Sequence, residues 1–90
     1  MTITIFFDVQ CTASQYDQVM RDLTAARADA PAGRLYHVAQ PDGDRWSVVD
    51  VWESPAAFER FGQVLLPILA KNGIPAPEHR ILPTHNVVRG

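Results

Sequence analysis

The fold is decided by the stretch Leu35-Tyr36-His37-Val38-Ala39-Gln40-Pro41-Asp42-Gly43-Asp44-Arg45-Trp46-Ser47-Val48-Val49-Asp50-Val51-Trp52-Glu53-Ser54-Pro55. Two β-rich runs, Leu35 to Gln40 and Arg45 to Trp52, flank a turn in which proline presets φ and glycine accepts φ > 0, so the stretch reads as one β-hairpin. A turn symmetric about Asp42-Gly43 pairs Gln40 with Arg45, His37 with Val48 and Leu35 with Asp50. Alternation then gathers Leu35, His37, Ala39, Trp46, Val48, Asp50 and Trp52 on one face, and Tyr36, Val38, Val49 and Val51 on the other. The second set reads as an aliphatic floor for helices. The first reads as the wall of a pocket.

Outward from the hairpin, Thr2 to Val9 alternates Ile3, Ile5, Phe7 and Val9 against Thr2, Thr4, Phe6 and Asp8, the period of a half-buried strand. Thr12 or Ser14 caps a helix, with Ser14 and Asp17 at capping-box spacing. Tyr16, Val19, Met20, Leu23 and Ala26 form its apolar stripe, and Ala30-Pro31-Ala32-Gly33 ends it. Downstream, Ser54 as N-cap and Pro55 at the first helical position open a second helix with Phe58, Phe61, Leu65, Ile68 and Leu69 on one side. Pro67 predicts a kink or a break, and Asn72-Gly73 a stop. Arg80 to Val88 reads as a last strand, confined to an edge by Pro83.

The order is β-α-β-β-α-β. Right-handed crossovers put both helices on one face of a four-stranded antiparallel sheet, an α+β ferredoxin-like arrangement, and leave the other face bare. An uncovered face carrying Trp46, Val48 and Trp52 is an apolar patch that calls for a partner or a ligand. Ninety residues with 47% hydrophobic content make a small domain, and a second copy of the chain is the simplest cover. The expectation is one domain, 1-90, that pairs with itself through the open sheet face.

Totals exclude other classes. A net charge of -2 without a Lys/Arg cluster argues against nucleic acid. No run approaches the roughly 18 apolar residues of a membrane span, and the first strand starts without a basic leader, so a cytoplasmic protein is expected. The single cysteine, Cys11, forms no internal disulfide and reads as a small buried thiol.

At this point the residues resemble a family. Arg45-Trp46-Ser47-Val48-Val49-Asp50-Val51-Trp52-Glu53-Ser54-Pro55-Ala56-Ala57-Phe58, with the closing Pro83-Thr84-His85-Asn86-Val87-Val88 and the order of elements, is similar to the dimeric α/β-barrel superfamily, in particular its small antibiotic-biosynthesis-monooxygenase-like proteins. The resemblance covers essentially the whole chain. It implies two sheets packed face to face as a homodimer and a cavity for a small hydrophobic or aromatic molecule, in a group that includes cofactor-independent quinone-forming oxygenases, haem-degrading enzymes, polyketide cyclases and muconolactone isomerases. Haem-degrading relatives match at Trp52, but this chain has Phe61-Gly62 where they place a haem-binding histidine, and Phe6 and Phe7 where they carry asparagine. No cofactor is therefore expected.

His37 and Asp50 lie diagonally across the expected hairpin, within reach of each other. A carboxylate beside imidazole fixes its tautomer and raises its basicity, as a base for a phenol or an enolisable ketone requires. The same pair also reads as two polar groups that merely satisfy each other. In the catalytic reading His37, Asp50 and His85 do the chemistry, Trp46 and Trp52 stack on the substrate ring, and His85 or Asn86 binds a developing oxyanion. Positions 37, 50, 79 and 85 show no ligand spacing, so no metal is expected. The competing class is a non-catalytic small-molecule-binding or stress-associated homodimer. An enclosed cavity of about 300 Å³ or more beside His37 separates the two.

Overall fold

The computed structural model describes residues 1–90. Six elements follow one another: β1 (Ile3–Val9), α1 (Ala13–Ala25), β2 (Arg34–Asp42), β3 (Arg45–Trp52), α2 (Pro55–Lys71) and β4 (Glu78–Pro83). They build one antiparallel sheet in the order β2-β3-β1-β4, the ferredoxin-like α+β fold. No helix is long and apolar enough to cross a membrane.

The helices cover the face opposite to the expected one. Ile3, Ile5, Phe7 and Val9 of β1 pair with Trp52, Asp50, Val48 and Trp46 of β3. Cross-strand partners share a face, and this combined set carries the buried core of the sheet, with Trp52 and Ile5 fully enclosed. Trp52 packs on Phe58 and Phe61 of α2 at ring-centroid distances of 5.7 and 5.4 Å. The bare face instead presents Phe6, Val38 and Leu82, with Tyr36, Val49 and Val51. Pairing through Trp46, Val48 and Trp52 is thereby corrected. The large rings go under the helices because only there are they removed from water, and β1's bulky apolar residues go with them.

The hairpin register is also two residues from the expected one. Asp42 pairs with Arg45, so the connection is Gly43-Asp44, and His37 sits directly opposite Asp50. Gly43 has φ 63° and Asp44 has negative φ, the pattern of a two-residue turn with glycine at its first central position, whose twist matches the strands. Pro41 thus falls inside β2, where an edge strand tolerates a residue without an N–H. An even shift leaves the faces unchanged. Leu35 is the exception, because the register slips between Arg34 and Tyr36. This bulge takes Leu35 out of the alternation and leaves it exposed.

Helix α1 is capped by Thr12, whose hydroxyl accepts from Gln15 N–H at 3.1 Å while the Gln15 side chain accepts from Thr12 N–H at 2.8 Å, a capping box two residues earlier than Ser14/Asp17. Helix α2 runs through Pro67 without a break. Gln63 and Pro67 are exposed, so the carbonyl that proline cannot serve is on the solvent side of the helix, while Phe61 and Leu69 hold the helix on the core. Strand β4 is shorter than expected. Its ladder with β1 ends at Ile3 opposite Pro83, and Thr84 N–H to Thr2 C=O is the last bond that β1 offers it. Residues 84–90 are irregular, and Arg89 Nε donates to the Tyr36 hydroxyl at 3.1 Å.

The two helices are clamped at their ends. Asn72, the C-cap of α2, donates to the Asp22 carboxylate of α1 at 2.9 Å, Gln18 donates to it at 3.0 Å, and the Lys71 ammonium lies 3.2 Å away. These bonds, Asn72's foremost, then Gln18's and Lys71's, hold the Asp22 carboxyl below the usual aspartate range. A depressed folded-state pKa contributes stability that is present above the unfolded value of about 3.9 and is lost as pH falls through the folded value. Asp22→Asn should therefore be less stable than wild type at pH 6, with the gap closing on acidification below about pH 4. Urea midpoints that differ by a constant amount from pH 2 to pH 7 would show that the clamp does not act through this charge.

Candidate functional site

The direct pairing of His37 and Asp50 brings imidazole and carboxylate together under α1. His37 Nδ1 lies 2.6 Å from Asp50 Oδ1. The second carboxylate oxygen accepts from Trp52 Nε1–H at 3.2 Å. Asp50 is 4% exposed, the one acidic residue in the core. A carboxylate only accepts, so His37 Nδ1 carries hydrogen, and the neutral ring's Nε2 is left as an acceptor. That acceptor is met by the Tyr16 hydroxyl at 2.7 Å. A chain of hydrogen bonds thus runs Trp52, Asp50, His37, Tyr16.

Tyr16 is reached from α1, one turn beyond the Thr12 cap. Its ring lies over Trp46 at 4.8 Å and 15° between planes, and parallel to the His37 ring at 6.2 Å. Burial pushes the phenol up, Arg34 pulls it partly back, and the Asp50 charge raises it further. The phenol therefore stays protonated and donates. Sequence reasoning placed Tyr16 on the apolar stripe and assigned it no role. The signal was the hydroxyl itself, since a buried tyrosine needs a partner for its O–H.

A cavity of about 70 Å³ opens beside this chain, lined mainly by aliphatic and aromatic side chains of the sheet and both helices, with Tyr16, Arg34, His37 and Asp50 as its polar groups. It is well short of the roughly 300 Å³ set as the mark of an enclosed ligand site. On the outer side of β2 lies a shallower cleft of about 290 Å³, walled by the segment Asp29 to Pro31 and by Arg34, Leu35, Tyr36 and His37. Arg34 and His37 belong to both walls. Cys11 also faces the inner cavity, where burial pushes its thiol up.

The structure brings His37, Asp50, Trp52 and Trp46 into one cluster, and the roles of the two tryptophans change. Trp52 is fully buried and orients Asp50. Trp46 offers a ring face to Tyr16. Neither is a bare platform for a substrate ring. His85 and Asn86 are not brought in. They lie beyond β4, exposed, where the strand has already run out of partner, and β4 is separated from β2 by β3 and β1. Arg89 of the same tail reaches the Tyr36 hydroxyl on the bare face of the sheet, the side away from His37. No three His, Cys, Asp or Glu side chains converge as a metal site.

Neither a family model nor a curated protein matches the chain. Solved structures do. A candidate antibiotic biosynthesis monooxygenase of Chloroflexus aurantiacus J-10-fl is 20% identical over all of both chains, with a TM-score of 0.67. One from Caulobacter crescentus CB15 is 18% identical over 94% of this chain and 91% of its own, with a TM-score of 0.72. SnoaB, a cofactor-independent oxygenase from Streptomyces nogalater, is 20% identical over 99% and 96%, with a TM-score of 0.61. At these identities the likeness is one of fold alone.

Replacing Asp50 by asparagine tests the chain of bonds. The amide presents one acceptor and one donor where His37 Nδ1–H and Trp52 Nε1–H both need acceptors, so one bond is lost in either orientation. Asp50→Asn should destabilise by on the order of 1.5–3 kcal/mol in urea titrations. Wild-type His37, read by its ring ¹⁵N shifts when neutral, should carry hydrogen on Nδ1; a neutral ring protonated on Nε2 would contradict the assigned direction of the bonds.

Proposed function

We propose that the chain is a small-molecule enzyme that works without a cofactor on a small phenol or enolisable ketone, with His37 as its general base. The observation that carries the proposal is the unbroken relay from the buried Trp52 through Asp50 and His37 to Tyr16 at the wall of an apolar cavity. A substrate proton passes to the Tyr16 oxygen as the Tyr16 proton passes to His37 Nε2. The buried phenol then never becomes a phenolate, and the imidazolium that forms faces the Asp50 carboxylate. The resulting phenolate or enolate has two outlets. With dioxygen as oxidant, a substrate CH₂ becomes C=O and the second oxygen atom leaves as water, a monooxygenase outcome. With a carbonyl in the same molecule, the enolate carbon adds to it and closes a ring, a cyclase outcome.

Deuterium exchange reads the first step without knowledge of the natural substrate. In D₂O, wild type should accelerate α-proton exchange of small 1,3-diketones and tetralones, and His37→Ala should lose roughly 10²–10⁴-fold of that rate while keeping the fold. Absence of accelerated exchange and of oxygen uptake across such a panel would leave the second reading. That reading is a non-catalytic small-molecule-binding or stress-associated homodimer, and the small cavity and the full pairing of buried side-chain polar atoms favour its binding-free, structural form.

In both readings, residues 1-90 act as one dimeric α/β-barrel domain, joined to a second copy through Phe6, Val38 and Val49 of the bare sheet face. Phe6 and Val38 are 38% and 54% exposed in one copy, an apolar display that marks an interaction face. Sedimentation should show a dimer at micromolar concentration, and the double variant Val38→Asp/Val49→Asp should be monomeric with unchanged helix content. A monomeric wild type would overturn the pairing.

A further inference from the structure

Arg34 has no counter-ion. The ion pairs of the chain are His37 with Asp50, Arg45 with Asp8 and Lys71 with Asp22. Arg34 is half-buried as a residue; its guanidinium stands over the Phe61 ring at 5.7 Å and donates once, to the exposed Asp29 backbone carbonyl at 3.0 Å. The remaining N–H groups of a five-donor fork have no protein partner. A guanidinium is fixed in this place by its backbone. Gly33 has φ 92°, and a Cβ there would come within 2.5 Å of the Ala57 Cβ, so the chain enters β2 pressed against the start of α2. Gly33 C=O accepts from Glu53 N–H at 2.8 Å, and the bulge at Leu35 follows. Arg34 is thereby held between the inner cavity and the outer cleft, beside His37, which lines both.

A partly covered guanidinium with spare in-plane donors can hold an anion, and carboxylate matches the fork geometry. On its inner side the cavity is apolar, and the Asp50 charge is already taken by His37 and Trp52. We propose that the ligand of this site is a small aromatic carboxylate, its carboxylate held by Arg34 at the junction of the two spaces and its ring seated in the outer cleft beside His37, at the mouth of the apolar cavity. The inference takes the location of the site from the proposed function and none of its chemistry. Asp29 is the acidic residue on the cleft wall, and its exposed carboxylate opposes the same anion.

Benzoate and benzamide, equal in shape and different in charge, are the probes, with affinity read by calorimetry and by the shift of the Arg34 Nε–H resonance. Wild type should bind benzoate about tenfold or more tightly than benzamide, the ratio that one charge-assisted hydrogen bond provides. Arg34→Met, which keeps the packing on Phe61, should erase the preference, weakening benzoate far more than benzamide. Arg34→Lys should retain part of it, and Asp29→Asn should tighten benzoate. Equal affinities in wild type, an unmoved Arg34 Nε–H at saturating benzoate, or a preference that survives Arg34→Met would each overturn the proposal. None of these measurements depends on turnover: failed proton exchange sinks the enzyme reading with the benzoate preference intact, and a lost preference with normal exchange sinks this one alone.

Discussion

A buried carboxylate organises this molecule. Asp50 sits in the middle strand of a sheet face otherwise made of Ile3, Ile5, Val48 and Trp52, all buried under two helices. Leaving an ionised carboxylate there without partners costs far more than a small domain's whole stability margin, so the position is tolerated only because both oxygens are met. One partner, Trp52 Nε1, comes from the same strand two residues on, and the other, His37 Nδ1, comes from the neighbouring strand. His37 then brings its own requirement, an acceptor nitrogen that reaches Tyr16 on α1. One polar group in the core therefore ties β3 to β2 and β2 to α1, and the same chain of bonds ends at the cavity wall.

This network also explains why the hairpin register matters more than its existence. Strand alternation was legible from the residues, as were Ser54-Pro55 at the start of α2 and the order of the elements, because these are local signals. The register was not. Asp42-Gly43 and Gly43-Asp44 are both credible centres for a two-residue turn, and the choice rests on φ at Gly43 together with what the two strands must pair. With His37 opposite Asp50, the short cross-strand distance permits a 2.6 Å bond; two residues off, the pair is diagonal and a carboxylate is left in the core with one partner fewer. The turn and the buried charge support the same register.

The side of the sheet that faces the helices was also beyond the hairpin taken alone. Tyr36, Val38, Val49 and Val51 make a credible helix floor until β1 is laid beside β3. Its register joins Ile3, Ile5 and Val9 to Trp52, Asp50 and Trp46, and that combined face is much the bulkier one. Hydrophobic burial scales with area removed from water, so the face with two tryptophans outcompetes the valine face. Tyr16 and Arg34 were illegible for a different reason. Each reads locally as a member of a stripe or a strand end, and each acquires its chemistry from residues far away in sequence: His37 and Trp46 for the tyrosine, Phe61 for the arginine.

Placing the hydrogen-bonded network under the helices separates the two tasks proposed for the sheet. On β2, His37 points toward Tyr16 while its neighbours Tyr36 and Val38 point to the bare face. The proposed chemistry and the proposed pairing of copies therefore occupy opposite sides of the same strand, and a second copy covering Phe6, Val38 and Val49 would leave the entrance between Asp29–Pro31 and Arg34 open. The strand itself is the one element common to both. Because β2 is an edge strand with a bulge at Leu35 and a proline at 41, its hold on the sheet rests on β3 alone. Covering its outer face by a partner would stiffen it, and that stiffening would act directly on the distance between His37 and Asp50.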